Sequence, residues 1–195
     1  GKKRDFNASA ATWDDNPRRV KTANDVARAI RETVRLRPDM DLLDFGCGTG
    51  LLTLNLLPYV RTITGIDNSQ GMLDVLNAKI RTQDLGNVRT RLVDLEHDDL
   101  LEGQFDLVIS NMTFHHIRDI RSLLDQLAGV LKPSGQLTIA DLDSDGGKFH
   151  DSDEGVFHAG FDRSVMKNHF EATGFESVRN RTAAIVQKSS PYGEM

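Results

Sequence analysis

Hydrophobic positions along the chain change period repeatedly, and each change marks an element. Val20, Ala23, Ala27, Ile30 and Val34 recur at steps of three and four, a stripe that predicts an amphipathic helix. Asn16-Pro17 starts it, with a capping side chain followed by proline at the first helical position, and Arg37-Pro38 stops it. Short apolar runs then alternate with helical stripes. Residues 41–45, 61–66, 88–93, 105–110 and 136–142 read as strands, and 50–57, 70–82, 119–131 and 162–173 as helices. Met72, Leu73, Leu76 and Ile80 share one helix face; Ile120, Leu123, Leu124, Leu127 and Leu131 share another. Pro58 and Gly174 act as helix stops, Lys132-Pro133-Ser134-Gly135 reads as a turn, and a further strand is expected over 177–187. Alternating strands and helices predict an α/β fold, a mainly parallel sheet with helices on both faces. No repeat, linker or shift in composition divides the 195 residues, which read as one domain.

Composition narrows the partners. A net charge of −5 without a basic run argues against nucleic acid, whose phosphates need clustered Lys and Arg; Lys2-Lys3-Arg4 reads as a solvated tail. No apolar stretch is long enough for a membrane span and no signal-peptide pattern opens the chain. The one cysteine, Cys47, has no partner for an internal disulfide, so a reducing, cytoplasmic setting is the expectation.

The chemistry concentrates in Leu42-Leu43-Asp44-Phe45-Gly46-Cys47-Gly48-Thr49-Gly50. A strand ending in a glycine-rich turn that feeds a helix is a nucleotide-cradling device. In an open parallel sheet the ligand lies at the carboxyl ends of the strands, and each such end here carries something usable. The second ends in Gly65-Ile66-Asp67, an acid placed to accept the two hydroxyls of a ribose; the third offers Asp94-Leu95; the fourth offers Asn111-Met112-Thr113-Phe114-His115-His116. The glycine spacing is G-x-G-x-G, whereas a dinucleotide fingerprint is G-x-G-x-x-G. Cys47 reads as a small residue in a crowded loop, since no Cys–His pattern surrounds it to make a nucleophile. Asp141, Asp143, Asp145 and Gly146 imitate the start of a calcium loop, but Ser152 stands where the twelfth-position acid belongs, so no metal is expected.

Five pieces in order, LLDFGCGTG (42–50), TGIDNSQGML (64–73), VDLEHDDL (93–100), FDLVISNMTFHHI (105–117) and KPSGQLTIAD (132–141), resemble the class I S-adenosylmethionine-dependent methyltransferases of the type 11, small-molecule group. The resemblance implies a Rossmann-like domain with an N-terminal lid and helix (1–38), a cofactor-binding core (39–142) and a substrate loop, helix and last strand (143–195). It implies that Gly46, Cys47 and Gly48 run under the methionine part of S-adenosylmethionine, with Asp44 ordering the loop and the amino group. It assigns Asp67 to the ribose hydroxyls, Asn68 and Met72 to the flanks of ribose and adenine, Asp94 and the Leu95 N–H to the adenine edge, and the Asn111 backbone to the methionine amine. His115 and His116 follow the fourth strand, where a base with a near-neutral pKa could take a proton from the acceptor. His158, in FHAGFD (157–162), is the third candidate catalytic group. Phe6, Trp13 and Arg18 fall in the lid, where Trp13 either walls the substrate pocket or packs the first helix. The family sheet closes with an antiparallel seventh strand. Here 177–187 can serve as the sixth and no apolar run follows, so either the chain is truncated or the sheet is short by one strand, and a missing strand would leave an uncovered edge that offers a second copy a pairing surface. Two rival readings stand beside methyl transfer: a nicotinamide-dependent oxidoreductase, disfavoured by the glycine spacing, and a non-catalytic module that binds the same cofactor. The acceptor and its atom type are not readable from the residues.

Overall fold

In the computed structural model, which describes residues 5–141 and 161–183, five parallel strands lie in the order β3-β2-β1-β4-β5. They are β1 (Asp41–Phe45), β2 (Thr62–Asp67), β3 (Val88–Leu92), β4 (Phe105–Asn111) and β5 (Leu131–Ala140). The helices are α1 (Phe6–Ser9), α2 (Pro17–Thr33), α3 (Leu51–Leu56), α4 (Gln70–Gln83), α5 (Ile120–Gly129) and α6 (Arg163–Thr173). The runs of Leu, Ile and Val in the central strands have no polar alternation because both faces of the sheet are covered. Leu42, Ile63, Leu107 and Ile109 pack against Val26, Ala27 and Ile30 of α2 and Leu52 and Leu56 of α3. Leu43, Phe45, Ile66 and Val108, on the other face, pack against Leu123, Leu124 and Leu127 of α5 and Met166 of α6. The helix boundaries follow local chemistry. Asn16 caps α2 by accepting from the Arg18 N–H (3.0 Å), Asp119 caps α5, and Gly174 ends α6 in the left-handed conformation.

Two stretches depart from expectation. The turn at 132–135 is present, but inside a strand: Phe105 pairs with Leu131 and Leu107 with Gln136, so residues 132–135 bulge out opposite Asp106. The bulge brings Lys132 Nζ to 3.2 Å from Asp106 Oδ2, and Ser134 takes the positive φ that the excursion needs. β5 therefore starts at Leu131, five residues before the expected strand. The strand expected over 177–187 is absent from its described part, 177–183, which is irregular. Side chains hold it instead: Arg163 donates to Asn180 Oδ1 (3.2 Å) and Thr182 Oγ1 (3.0 Å), and Arg181 pairs with Glu32 (3.1 Å). Residues 184–187 lie outside the described residues. At the other side of the sheet, β3 carries Arg89 and Arg91, charges that discourage strand addition.

The strand order sets the position of the site. β1 is flanked by β2 and β4, whose connections run to opposite sides of it, and this reversal opens a crevice at the carboxyl ends.

Candidate cofactor site

Three glycines shape the turn after β1. Gly46, Gly48 and Gly50 have φ of +75°, +54° and +85°, a region L side chains rarely adopt. Their surroundings differ. A Cβ on Gly46 would overlap the Thr113 side chain, and one on Gly50 would overlap Leu76 of α4, so these two glycines are required by packing. A Cβ on Gly48 would meet only Met72 Sδ, at 3.9 Å. Packing does not explain Gly48; its left-handed backbone does, and the space beside it is open.

The loop is tied to the end of β2 by the Ile66 carbonyl, which accepts from the Gly46 (2.8 Å) and Cys47 (3.0 Å) N–H groups, and by Asp67. Its Oδ2 accepts from the Gly48 N–H (2.8 Å) and its Oδ1 from the Ser69 N–H (2.9 Å), so one carboxylate joins the end of β2 to the glycine turn and the start of α4. A carboxylate has about four acceptor positions, leaving room for further donors. Burial raises the Asp67 pKa, opposed by the backbone N–H groups of Gly48, Ser69 and Asn68. Asp44, expected to order the loop, bonds elsewhere: Thr53 Oγ1 of α3 donates to its Oδ2 at 2.5 Å. It is 1% exposed, and burial, with a smaller contribution from the Asp67 charge, pushes its pKa up to about 7 against the Thr53 bond. A nearly dry carboxylate with one donor side chain among the described residues suits a cation as its second partner. Cys47 is buried against Gly65; burial, then Asp44 and Asp67, push its thiol pKa well up, which removes it as a nucleophile.

The remaining expected residues fall around the same crevice. Met72 is buried in the first turn of α4, and Asn68 is exposed beside it. Asp94 caps the 3-10 turn Leu95–His97: its Oδ1 accepts from the Glu96 N–H (3.1 Å) and its Oδ2 lies 2.8 Å from His97 Nδ1. The Asp94 N–H donates to Asp99 (2.8 Å), so the acids of this loop hold one another in place. Asn111 ends β4 on the same sheet face as Asp44, two residues past Ile109, which is the β4 partner of Asp44. Among the described residues its Oδ1 is buried without a hydrogen-bond partner, as is Ser110 Oγ. Thr113 packs on Gly46 and donates to the Asn111 carbonyl (3.2 Å), joining the β1 and β4 loops. His115 and His116 lie in the 3-10 turn after β4, with His116 edge-on to Phe6. His158 lies outside the described residues. Trp13 packs between Phe6, edge to face at 6.0 Å, and the Arg19 guanidinium of α2, 3.5 Å over its ring.

Several participants are silent in the sequence. Thr53, Asn7, Asp14 and Lys79 brace the loops through contacts that no local pattern announces, whereas Ser69 had a signal, a capping residue directly before a helical stripe.

A methyltransferase-domain family matches residues 43–139, from β1 into β5. An uncharacterized methyltransferase of Schizosaccharomyces pombe is 40% identical over 147 residues, covering 68% of this chain and 52% of the relative. A malonyl-[acyl-carrier protein] O-methyltransferase of Priestia megaterium is 28% identical over 195 residues, 98% of this chain and 69% of that one. Haemonchus contortus phosphoethanolamine N-methyltransferase 2, solved with S-adenosyl-L-methionine, shares the fold with a TM-score of 0.67 at 21% identity, over 77% of this chain and 36% of that one. The chain belongs to the class I S-adenosylmethionine-dependent methyltransferases. It spans about half the length of several curated relatives that it matches. Among the described residues, no helix is long and apolar enough to cross a membrane.

Proposed function

We propose that this protein transfers the methyl group of S-adenosylmethionine to a nucleophilic atom of a small molecule. The observation that carries the reading is Gly48: left-handed, with open space where a side chain would be, and tied by its N–H to Asp67. A ribose edge set against that turn meets the unused acceptor positions of Asp67. Met72 flanks the same space, with Asn68 at its rim and the Asp94-Leu95 turn offering an acceptor and an N–H to an adenine edge. Gly46 and Cys47 carry the backbone under the methionine portion. Asp44 and Asn111 Oδ1, acceptors on one sheet face, suit its ammonium group.

When bound, the sulfonium supplies a strong electrophile, so the chain's task is to align the acceptor and exclude water. His116, packed against Phe6 of the N-terminal segment, stands where the acceptor would approach and is a candidate base for an acceptor hydroxyl or amine. His115 and His158 are the other candidates. A small-molecule acceptor accords with the net charge of −5, and a cytoplasmic setting with the single buried free thiol.

Calorimetry with S-adenosylhomocysteine tests the reading. The protein binds it, and Asp67→Asn weakens binding by roughly 1.5–3 kcal/mol through lost charge-assisted hydrogen bonds. No binding by the parent protein sinks the proposal. A metabolite screen for consumption of labelled methyl donor then identifies the acceptor, and binding without turnover on any acceptor marks a non-catalytic module.

A further inference from the structure

Charge is unevenly placed along the chain. Of its 24 basic and 29 acidic side chains, residues 17–38 hold seven and two, a surplus of +5 in a chain of net charge −5. Helical spacing spreads these cations, so no basic run shows in the sequence, and α2 gathers them. Ala23, Val26, Ala27 and Ile30 turn to the core, which leaves Lys21, Arg28 and Arg31 on the solvent face, with Arg35 two residues past the end of the helix. All four cations are exposed. Two acids share this stretch, and both are taken: Asp25 lies between Lys21 and Arg28 (3.8 Å from the latter), and Glu32 pairs with Arg181 (3.1 Å). Arg31 and Arg35 have no carboxylate partner among the described residues.

Arg31 meets an aromatic ring instead. Its guanidinium lies 5.1 Å from the ring centroid of Tyr59, which ends the 3-10 turn Leu57–Tyr59 and is 45% exposed. A helix C-terminus favours cations, which accounts for a charge in the last turn of α2 but not for a large ring left half in water beside it. Tyrosine and arginine together are the side chains that anchor protein interfaces: the ring supplies contact area, and the guanidinium grips carboxylates with two donors. The patch is remote from the crevice. α2 starts beside the glycine turn, where Asp14 accepts from the Thr49 hydroxyl (2.6 Å), and its 17 residues extend about 25 Å from there. Tyr59 comes just before β2, at the amino ends of the strands.

We infer that Arg28, Arg31 and Arg35, with Tyr59 beside them, form a docking surface for an acidic segment of a partner protein. Carboxylates of the partner pair with the guanidinium groups, and an apolar side chain covers the exposed ring. Charge selects this occupant over a phosphate polymer or an anionic bilayer. Outside residues 17–38 the chain carries a net −10, which repels any polyanion larger than the patch, whereas a compact acidic segment meets the cations alone. Docking here leaves the crevice open, so partner and cofactor are held together on one molecule. The inference stands independently of the cofactor reading above.

The test is fluorescence anisotropy of a labelled helical peptide that carries glutamates along one face and a leucine beside them. The protein should bind it, and should ignore the same peptide with glutamine in place of glutamate. Tyr59→Ala should weaken binding about tenfold, and Arg31→Glu combined with Arg35→Glu should abolish it. Raising salt from about 0.05 M to 0.5 M should weaken binding by about fivefold or more. Calorimetry with S-adenosylhomocysteine should give the parent affinity in both variants, which shows that they fold and separates this surface from the cofactor site. No peptide binding by the parent, equal binding of the glutamine peptide, or binding by the charge-reversed variant within about twofold of the parent overturns the inference. So does tighter binding of a single-stranded oligonucleotide or of phosphatidylserine vesicles, which would make the patch a phosphate site. Should a variant fail to fold, salt-independent binding of the peptide by the parent overturns it equally. A parent that binds the peptide but no S-adenosylhomocysteine supports the docking surface and removes the methyl-transfer reading.

Discussion

At single residues, one glycine separates packing from ligand binding. Gly46→Ala places a methyl into Thr113 at a positive φ, so thermal denaturation should show a loss of about 2–3 kcal/mol or more. Gly48→Ala carries only the left-handed strain of about 1 kcal/mol, because just Met72 Sδ is near, yet it should abolish S-adenosylhomocysteine binding in calorimetry. Equal loss of stability in the two variants would mean that the turn serves packing alone. Asp44 supplies a pH signature. Its folded pKa of about 7 lies above the ordinary carboxylate value of 3.8, so between these values the folded state holds the proton more tightly than the unfolded chain. Its contribution is therefore most favourable at low pH and is lost as pH rises through about 7, with a slope of up to about 1.4 kcal/mol per pH unit for one proton. Asp44→Asn should flatten that part of a stability-versus-pH profile. Binding of S-adenosylmethionine runs the other way: it tightens as pH rises through 7 in the parent, because the ammonium favours the carboxylate, and should be level in Asp44→Asn. A buried acid that costs stability at neutral pH is the kind of local conflict functional sites retain.

At the scale of elements, Asp106 offers a control remote from the crevice. Its Oδ2 accepts from the Asp41 N–H (2.8 Å) and Lys132 Nζ (3.2 Å) where the β5 bulge meets the start of β1. Asp106→Asn should cost about 1 kcal/mol in a denaturant melt and leave S-adenosylhomocysteine affinity unchanged. This corner also shows where sequence reading stops. Strands β1, β2 and β4 were legible as largely apolar runs between turn residues and β3, VRTRL, as a short β-branched run with alternating charges, and α2, α4, α5 and α6 because their stripes keep helical spacing. The bulge was not: Pro133, Ser134 and Gly135 carry a turn's local signal, and only the pairing of Leu131 with Phe105 makes them part of a strand. Likewise 177–183 was expected to begin a strand, but Arg163 and Glu32 fix it through side chains drawn from distant helices. Of the site, the glycine turn and Asp67 were legible from spacing alone. The Asp44–Thr53 bond and the Asn7–Ser69 bond were not, since Asn7 and Ser69 are 62 positions apart.

For the whole molecule, ligand binding and folding are one balance. S-adenosylhomocysteine at about a hundred times its Kd should add roughly 2.7 kcal/mol and raise Tm by several degrees, and the rise should vanish in Gly48→Ala. Nicotinamide dinucleotide at the same concentration should leave Tm unmoved, which separates the methyl-transfer reading from the oxidoreductase one. The placement of β1 bears on how the chain is made. It is the first of the five described strands to be synthesised and sits in the middle of the sheet, between β2 and β4. β4 begins some 60 residues after β1 ends. At roughly 5–20 residues per second, a ribosome delivers it about 3–12 s later. For that interval the Leu42-Leu43 segment has one edge unpaired and one face uncovered, since α5 follows β4. Before the crevice exists at all, this segment is the nascent chain's main point of exposure to aggregation and to chaperones.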